Sequence, residues 1–555
     1  MDNQRLILFV VLGFMFLMLW QSWIEYSSPP QPVQSATTTT TDTASQADKA
    51  AIPSTPKIDT ESASISDLPA GQQTAQAVSS GQVVKVETDT LKVELNTLGA
   101  GINKVWLKNY SVDLDHPDEL FQLLNDSGKD IFMAQGGLLV QGRDFPTHKT
   151  IYTSSANTYK LSEGKNSIDV EFLWNSPDGV SYKKIYTFHR DSYSIDIKYQ
   201  VFNTSALAWT GYQYNQFKRT QPEAQSAFNP ATMVPSYTGG AIYDDQEKYR
   251  KIDFSDMLES NLSTLITNGW VGMLQHYFAG AWLLDENNKY EIFSNVVAGR
   301  YFFIGYKTLD PVTIQPGQAG ELSSHLFLGP KETKLLKNLA PGLELTVDYG
   351  WLTPISEPLF WLLSKIHGFV GNWGWAIIIL TILIKLVFYP LSAASHKSMA
   401  NMRKMTPRIK TLKERYSDDK QKLNQAMMKL YKEEKINPLG GCLPVLIQIP
   451  VFIALYWALL ESVELRQAPW ILWIKDLSAP DPYFVLPVLM GVSMLVQQMI
   501  SMVAMDPMQK KIMMAMPVVF MFFFLFFPAG LVLYWTVNNL LTIAQQYMIN
   551  KKMGV

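Results

Sequence analysis

Lys385 lies inside the apolar run that follows Gly374, WAIIILTILIKLVFYPL. An ammonium in hydrocarbon is costly, so it either snorkels to a nearby interface or faces a polar cavity. Counting back from Leu391 at ~1.5 Å per residue puts it about 9 Å from one end of the run. Thr381 sits one turn earlier on the same face. Other polar groups fall at compatible depth. Gln448 is roughly 8 Å inside the cytoplasmic end of its own apolar stretch. Near the C-terminus Trp535, Asn538, Thr542 and Gln545 recur at i, i+3, i+7 and i+10, which is one helix face. No apolar stretch carries an interior Asp or Glu, so the lysine needs water, or it must lose its proton. A hydrated groove lined by Thr381, Lys385, Gln448, Asn538, Thr542 and Gln545 and open to the cytoplasm meets that need. Amides alone could simply join helices by hydrogen bonds, but that leaves the lysine unexplained.

Other chemistries find little support. There is no G-x-x-x-x-G-K-[ST] phosphate loop, and the single cysteine, Cys442, opens an apolar stretch and reads as packing. His148, His189, His276 and His325 are scattered without metal-ligand spacing, and the carboxylates form no paired motif. The expectation is a protein that is not an enzyme and has no catalytic residue, metal or cofactor. A net charge of -2 gives no global basic excess for nucleic acid. A transporter would want inverted repeats with broken helices, and an intramembrane protease a buried Ser/His or Asp pair; neither pattern is present.

The elements that must position the lysine follow from apolar segregation. Leu6–Trp23 is an apolar run after Arg5 with no A-x-A cleavage site, which predicts an uncleaved signal-anchor over 1–26. Residues 27–82, rich in Ser, Thr, Ala, Pro and Gln, read as a flexible tether. Over 83–340 short alternating runs such as VVKVET, LKVELN, VSYKKIYTFH and YSIDIKYQVFN predict a large β-sandwich on the outer side. Residues 351–370 predict an amphipathic helix lying at the outer interface.

Membrane helices are expected over 372–391, 438–463, 483–502, 511–527 and 529–550, giving six spans with the anchor and both termini inside. Residues 464–482 form an outer loop with Arg466, Trp470, Trp473 and Asp481. The stretch 392–437 holds twelve Lys and Arg against five Asp and Glu, which fixes a helical hairpin in the cytoplasm. Asp418, with Gln421 three residues on, predicts the cap of its second helix. Met399, Met402 and Met405 on one helix, with Met427 and Met428 on the other, suit adaptable apolar contact or plain packing between the two helices.

With these motifs in view, GWAIIILTILIKLVFYPL, NPLGGCLPVLIQIPVF, SVELRQAPWILWIKDLSAPDPY and MPVVFMFFFLFFPAGLVLYW resemble the YidC/Oxa/Alb family of bacterial membrane protein insertases, in its Gram-negative form. The resemblance implies a five-helix insertase core with a cationic groove and a periplasmic β-supersandwich. It puts Lys385 in the place of the groove cation, usually arginine, with Thr381, Gln448, Trp535 and Asn538 at other groove positions. It further implies ATP-independent insertion and folding of inner-membrane proteins. The implied partners are nascent membrane proteins, membrane lipids, the Sec translocon (SecYEG, SecDF), and the ribosome or signal recognition particle pathway. The tail stops at Val555 without the longer basic extension that some relatives use on the ribosome.

Overall fold

The computed structural model describes residues 52–54, 81–222, 237–286, 288–416, 419–434, 443–501 and 507–553. The signal-anchor, nearly all of the tether, Asp418 and the start of the span expected from 438 lie outside these residues.

Two antiparallel-rich sheets form the β-domain. One has eleven strands, ordered from Ser263–Ile266 through Tyr290–Val297, Tyr301–Thr308, Trp209–Thr220, Phe132–Val140, Gly101–Ser111, Leu91–Asn96 and Val83–Glu87 to Thr158–Lys160, with two short strands beside this path. The other has nine, with Ala319–Pro330, Ser194–Asn203 and Val180–His189 adjacent at its centre. The sandwich expectation holds, and the alternation that predicted it is literal. Along Val180–His189 burial alternates at every residue, so Val180, Tyr182, Lys184, Tyr186 and Phe188 point inward. A lysine therefore sits in the sandwich core. Among the strands that no sequence motif marked are the glycine-bearing Gly269–Gln275 and Phe278–Leu284, which are buried nearly throughout and show no alternation. Two short helices, α1 (Phe254–Glu259) and α2 (Thr333–Leu339), flank the sheets.

The helical part begins with α3 (Thr353–Val370), which carries Trp361 and Phe369 on its exposed face and buries Phe360 and Leu363. Gly371 ends it at φ +66, returning its N–H to the His367 carbonyl. Asn372 then caps α4 (Trp373–Val387) through its side chain. Gly374 lets α4 approach the loop beyond, since a Cβ there would fall 2.1 Å from Trp470.

The span expected as one helix over 372–391 is broken. α4 stops at Val387, and α5 (Tyr389–Lys404) sets off at 67° to it. Pro390 explains the break, because it has no N–H and its ring would collide with the Leu386 carbonyl in a continuous helix. α6 (Thr406–Arg415) and α7 (Lys420–Glu433) complete the hairpin. The cap of α7 is Asp419, one residue after the expected Asp418; its carboxylate accepts from the N–H groups of Gln421 and Lys422.

Four helices follow: α8 (Leu443–Glu461), α9 (Val485–Ser501), α10 (Pro507–Phe524) and α11 (Ala529–Met553). Among the described residues no single helix is both long and apolar enough to cross a membrane. The bent pair Trp373–Val387 with Tyr389–Met402 reaches that limit jointly, and Ile447–Glu461, Val485–Ile500 and Lys511–Phe524 are shorter apolar helices.

Side chains tie the β-domain to the helices. Lys331 pairs with Glu461 at 3.5 Å, both buried. Arg466 donates Nη2 to the carbonyls of Ser111 (2.6 Å) and Val112 (2.8 Å).

Candidate functional site

Lys385 is in the last turn of α4 and is 8% exposed, so it does not snorkel free of the helices. Its Nζ donates to Thr542 Oγ1 of α11 at 2.8 Å. Thr542 in turn donates its hydroxyl proton to the Asn538 carbonyl at 2.7 Å, which leaves the oxygen lone pairs for the lysine. No carboxylate among the described residues pairs with Lys385, whose hydrogen bond goes to a hydroxyl. A charge held by one hydroxyl in an apolar bundle is under-solvated by protein alone.

Other polar atoms near this level lack partners. Gln545, one turn beyond Thr542, is buried and its Nε2 bonds to nothing among the described residues. On α5, Ser392 Oγ and His396 Nδ1 are buried and equally unpartnered, and the Lys385 charge acts on His396. Ser392 and His396 went unnoticed in the sequence because they follow the Pro390 break. The signal was there: Tyr-Pro punctuates the run, and both residues come within two turns of it.

The remaining predicted groove residues divide. Thr381 is buried and spends its hydroxyl proton on the Ile377 carbonyl of its own helix (2.7 Å). Gln448 and Asn538 are half-buried, on α8 and α11. Trp535 does not point into open space: its ring meets Phe452 of α8 edge-on at 4.4 Å and Phe524 of α10 at 5.4 Å. Gln448 is four residues before Phe452, and Asn538 three after Trp535, so both stand one turn from that aromatic contact on the side toward Lys385.

The phenylalanine-rich wall is real packing. Phe523 and Phe524 lie within 5 Å of Phe527, which also meets Tyr456 of α8 at 5.8 Å. Val519 and Phe522 of α10 face outward, 61% and 59% exposed. Sequence reading also missed the link between α9 and α11, where Asn539 Nδ2 donates to Ser493 Oγ at 3.0 Å with both residues buried.

In the hairpin, Met405 and Ile409 are buried, with Met402, Met427, Leu430 and Tyr431 packed around them. Those three methionines serve helix packing. Met399 is half-buried and Met428 is 55% exposed. Arg408 of α6 reaches Glu434, at the end of α7, at 2.6 Å.

The family described as the YidC periplasmic domain matches residues 83–362, and that described as 60Kd inner membrane protein matches residues 365–554. A membrane protein insertase YidC from Methylobacillus flagellatus is 48% identical over 99% of this chain and 97% of its own length. One from Aromatoleum aromaticum is 46% identical over 99% of this chain and 98% of its own. Among solved structures, an active YidC insertase with its first transmembrane domain resolved is 22% identical, with a TM-score of 0.38 over 85% of this chain and 95% of that one. On sequence, end to end, the chain belongs to the YidC family.

Proposed function

We propose that this chain inserts integral proteins into the bacterial inner membrane and helps them fold. The observation that carries the reading is Lys385, an ammonium enclosed by apolar helices and held by one threonine hydroxyl, with unpartnered polar atoms of Gln545, Ser392 and His396 on the neighbouring turns. Water admitted from the cytoplasm would satisfy those atoms, keep the lysine charged and create a groove into which a polar flank can enter.

The reading assigns a path. A segment with a short acidic flank meets the hairpin, where Met428 is open and Met399 half-open; Met402, Met405 and Met427 give the hairpin its core and become available only if its two helices part. The flank enters beside Lys385, Thr542, Gln545, Asn538 and Gln448. Hydration shortens the apolar distance to cross, and the membrane potential contributes ~2.3 kcal/mol per charge per 100 mV to moving an acidic flank outward. The apolar segment then leaves past the outward faces of Val519 and Phe522 on α10 into lipid, where burial of its side chains, at roughly 25 cal/mol per Å², drives the last step. Thr381 and Trp535 hold the groove's walls. No phosphate loop exists in the sequence, so no nucleotide is assigned to the work.

The same reading sets six spans with both termini cytoplasmic, the first from 1–26, and the sandwich in the periplasm. α4, up to the bend at Pro390, and the short apolar helices α8, α9 and α10 then cross a bilayer thinned around the groove, with α5 beyond the bend in the hairpin. Cooperation with the Sec translocon and with translating ribosomes belongs to the same proposal.

The test replaces Lys385 by Glu and by Arg in cells depleted of the native protein and follows insertion of a small single-spanning substrate with an acidic flank. Arg should sustain insertion and Glu should reduce it tenfold or more. Equal insertion by the two would remove the electrostatic role.

A further inference from the structure

Beyond the groove, one cleft holds two charged groups that the fold leaves incomplete. It lies between the sandwich and the 3-10 turn Val463–Leu465 that follows α8, has a volume of about 450 Å³, and is lined in part by Tyr110, Asp191, Tyr193, Glu332, Glu464 and Arg466. The Glu464 Oε2 and Arg466 Nη1 atoms are both buried, and neither has a hydrogen-bond partner among the described residues.

The rest of each group is engaged. Arg466 donates Nη2 to Ser111 and Val112 and lays its guanidinium over the rings of Phe121 and Phe278, at 5.7 and 5.8 Å. Its Nη1 corner is buried at the cleft wall and has no partner among the described residues. Glu332, the second buried-side acid, already accepts from the Tyr110 hydroxyl at 2.8 Å. Burial pushes the Glu464 carboxyl up to about 7, the behaviour of an acid that lacks its cation. A buried polar group left without a partner is costly, so a cleft holding an acid and a guanidinium, each incomplete, favours a ligand carrying both charges.

A lone anion would satisfy Arg466 and be repelled by Glu464, Glu332 and Asp191; a lone cation would leave Arg466 bare. The matching ligand is a zwitterion. We propose that this cleft binds a phosphoethanolamine group, with the ammonium on Glu464 and the phosphate on Arg466. The inference rests on the orientation proposed above, which brings this turn to the outer membrane surface, where such groups are presented as lipid heads. Exposed Leu472 and Tyr483 of the following loop, 77% and 69% accessible, are placed to meet the acyl side.

The test is a native mass spectrometry titration of the full chain in detergent with phosphatidylethanolamine, phosphatidylcholine and phosphatidylglycerol. Phosphatidylethanolamine should bind at least tenfold tighter than phosphatidylglycerol, and trimethylation should weaken binding by removing the donated protons. Glu464→Gln, which keeps shape and Arg466's clamp, should abolish that preference, because it removes the acceptor of the ammonium and the repulsion of phosphatidylglycerol together. Water-soluble glycerophosphoethanolamine is the second arm: competition at millimolar concentration assigns the site to the headgroup from either source. A preference sensitive to Glu464→Gln that resists competition assigns it to the lipid. Equal affinity for the three lipids, or an unchanged preference in Glu464→Gln, overturns the proposal. Lys385→Glu separates the two readings, since it should lose insertion and keep the headgroup preference.

Discussion

Two buried lysines, one in each half of the molecule, share a chemistry and differ in their surroundings. Lys184 is 1% exposed inside the sandwich, and Lys385 is 8% exposed among the helices. Neither has a carboxylate partner among the described residues. Lys184 donates to the carbonyls of Ala100 (2.9 Å) and Gly99 (3.4 Å) and lies over the rings of Tyr186 and Tyr199 at 5.1 and 5.3 Å. Those acceptors are backbone carbonyls of the tight turn between Leu91–Asn96 and Gly101–Ser111, and the rings belong to two buried tyrosines. Lys385 relies on one side-chain hydroxyl, with unpartnered polar atoms on the turns beside it. Burial of a lysine is therefore not by itself a sign of function. What marks a working cation is an environment that protein atoms leave incomplete, so that water or a client can complete it.

The contrast breaks most visibly if Lys184 is removed. Lys184→Ala leaves a cavity among large aromatic side chains and strips a donor from the Ala100 carbonyl. By analogy with other large-to-small core changes the sandwich should lose about 2–5 kcal/mol. Thermal unfolding of the full chain in detergent, read by protease sensitivity of the β-domain, should register it. Insertion per folded molecule should stay unchanged. A variant that unfolded normally but failed to insert would place Lys184 in the working machinery and erase the distinction.

A second measurement uses pH. Burial lowers Lys184 from the usual 10.5 to about 7. Between those values the unfolded chain binds a proton that the folded one does not, so this group's contribution to stability rises with pH across that window and is flat below it. Lys184→Met lacks the term. The stability of the native protein relative to Lys184→Met should grow as pH is raised from 7 toward 10, measured as the difference between paired melts. A difference that is constant with pH means that Lys184 is charged in the fold.

The two lysines were not equally legible. Lys385 stood out because it interrupts an apolar run, and helical spacing put Thr542 at its level, though not their hydrogen bond. Lys184 was hidden in VSYKKIYTFH, where two adjacent lysines face opposite sides of a strand and only the register says which is inside. Given the burial of Tyr182 and Tyr186, period two puts Lys184 inward, so the signal was present. The polar residues around Lys385 were read on α11, where spacing suffices, and missed on α5, which follows the 67° bend and carries Ser392 and His396. The Arg466 clamp was not readable, since its acceptors are more than 350 residues away in the chain.

Thr542→Val sharpens the comparison from the helical side. It keeps the volume and removes the acceptor, so the Lys385 ammonium loses its hydrogen bond. A hydrogen bond to a charged group contributes about 1.5–3 kcal/mol, and much of that would be recovered if water replaces the hydroxyl. The expected result is a several-fold drop in insertion with little change in melting, and Thr542→Ser should restore it. A melt lowered as far as that of Lys184→Ala would instead mean a dry, structural Lys385 site.

The smallest effect is expected at the Asn539–Ser493 link, which is buried between α9 and α11 at 3.0 Å and lies away from Lys385. Interhelical hydrogen bonds in membranes average about 0.6 kcal/mol, because the unfolded reference also finds partners in lipid. Asn539→Leu should therefore shift melting slightly and leave insertion within twofold of normal. Asn539 follows Asn538 directly, so the pair makes an internal control. Asn538 is half-buried one turn from Trp535 and gives its carbonyl to Thr542, the partner of Lys385, while Asn539 donates to Ser493 of α9. Asn538→Leu should lower insertion more than Asn539→Leu, although both remove one amide from the same turn. Insertion that fell equally in the two would mean that polarity anywhere in α11 suffices, and the incomplete surroundings of Lys385 would lose their special standing.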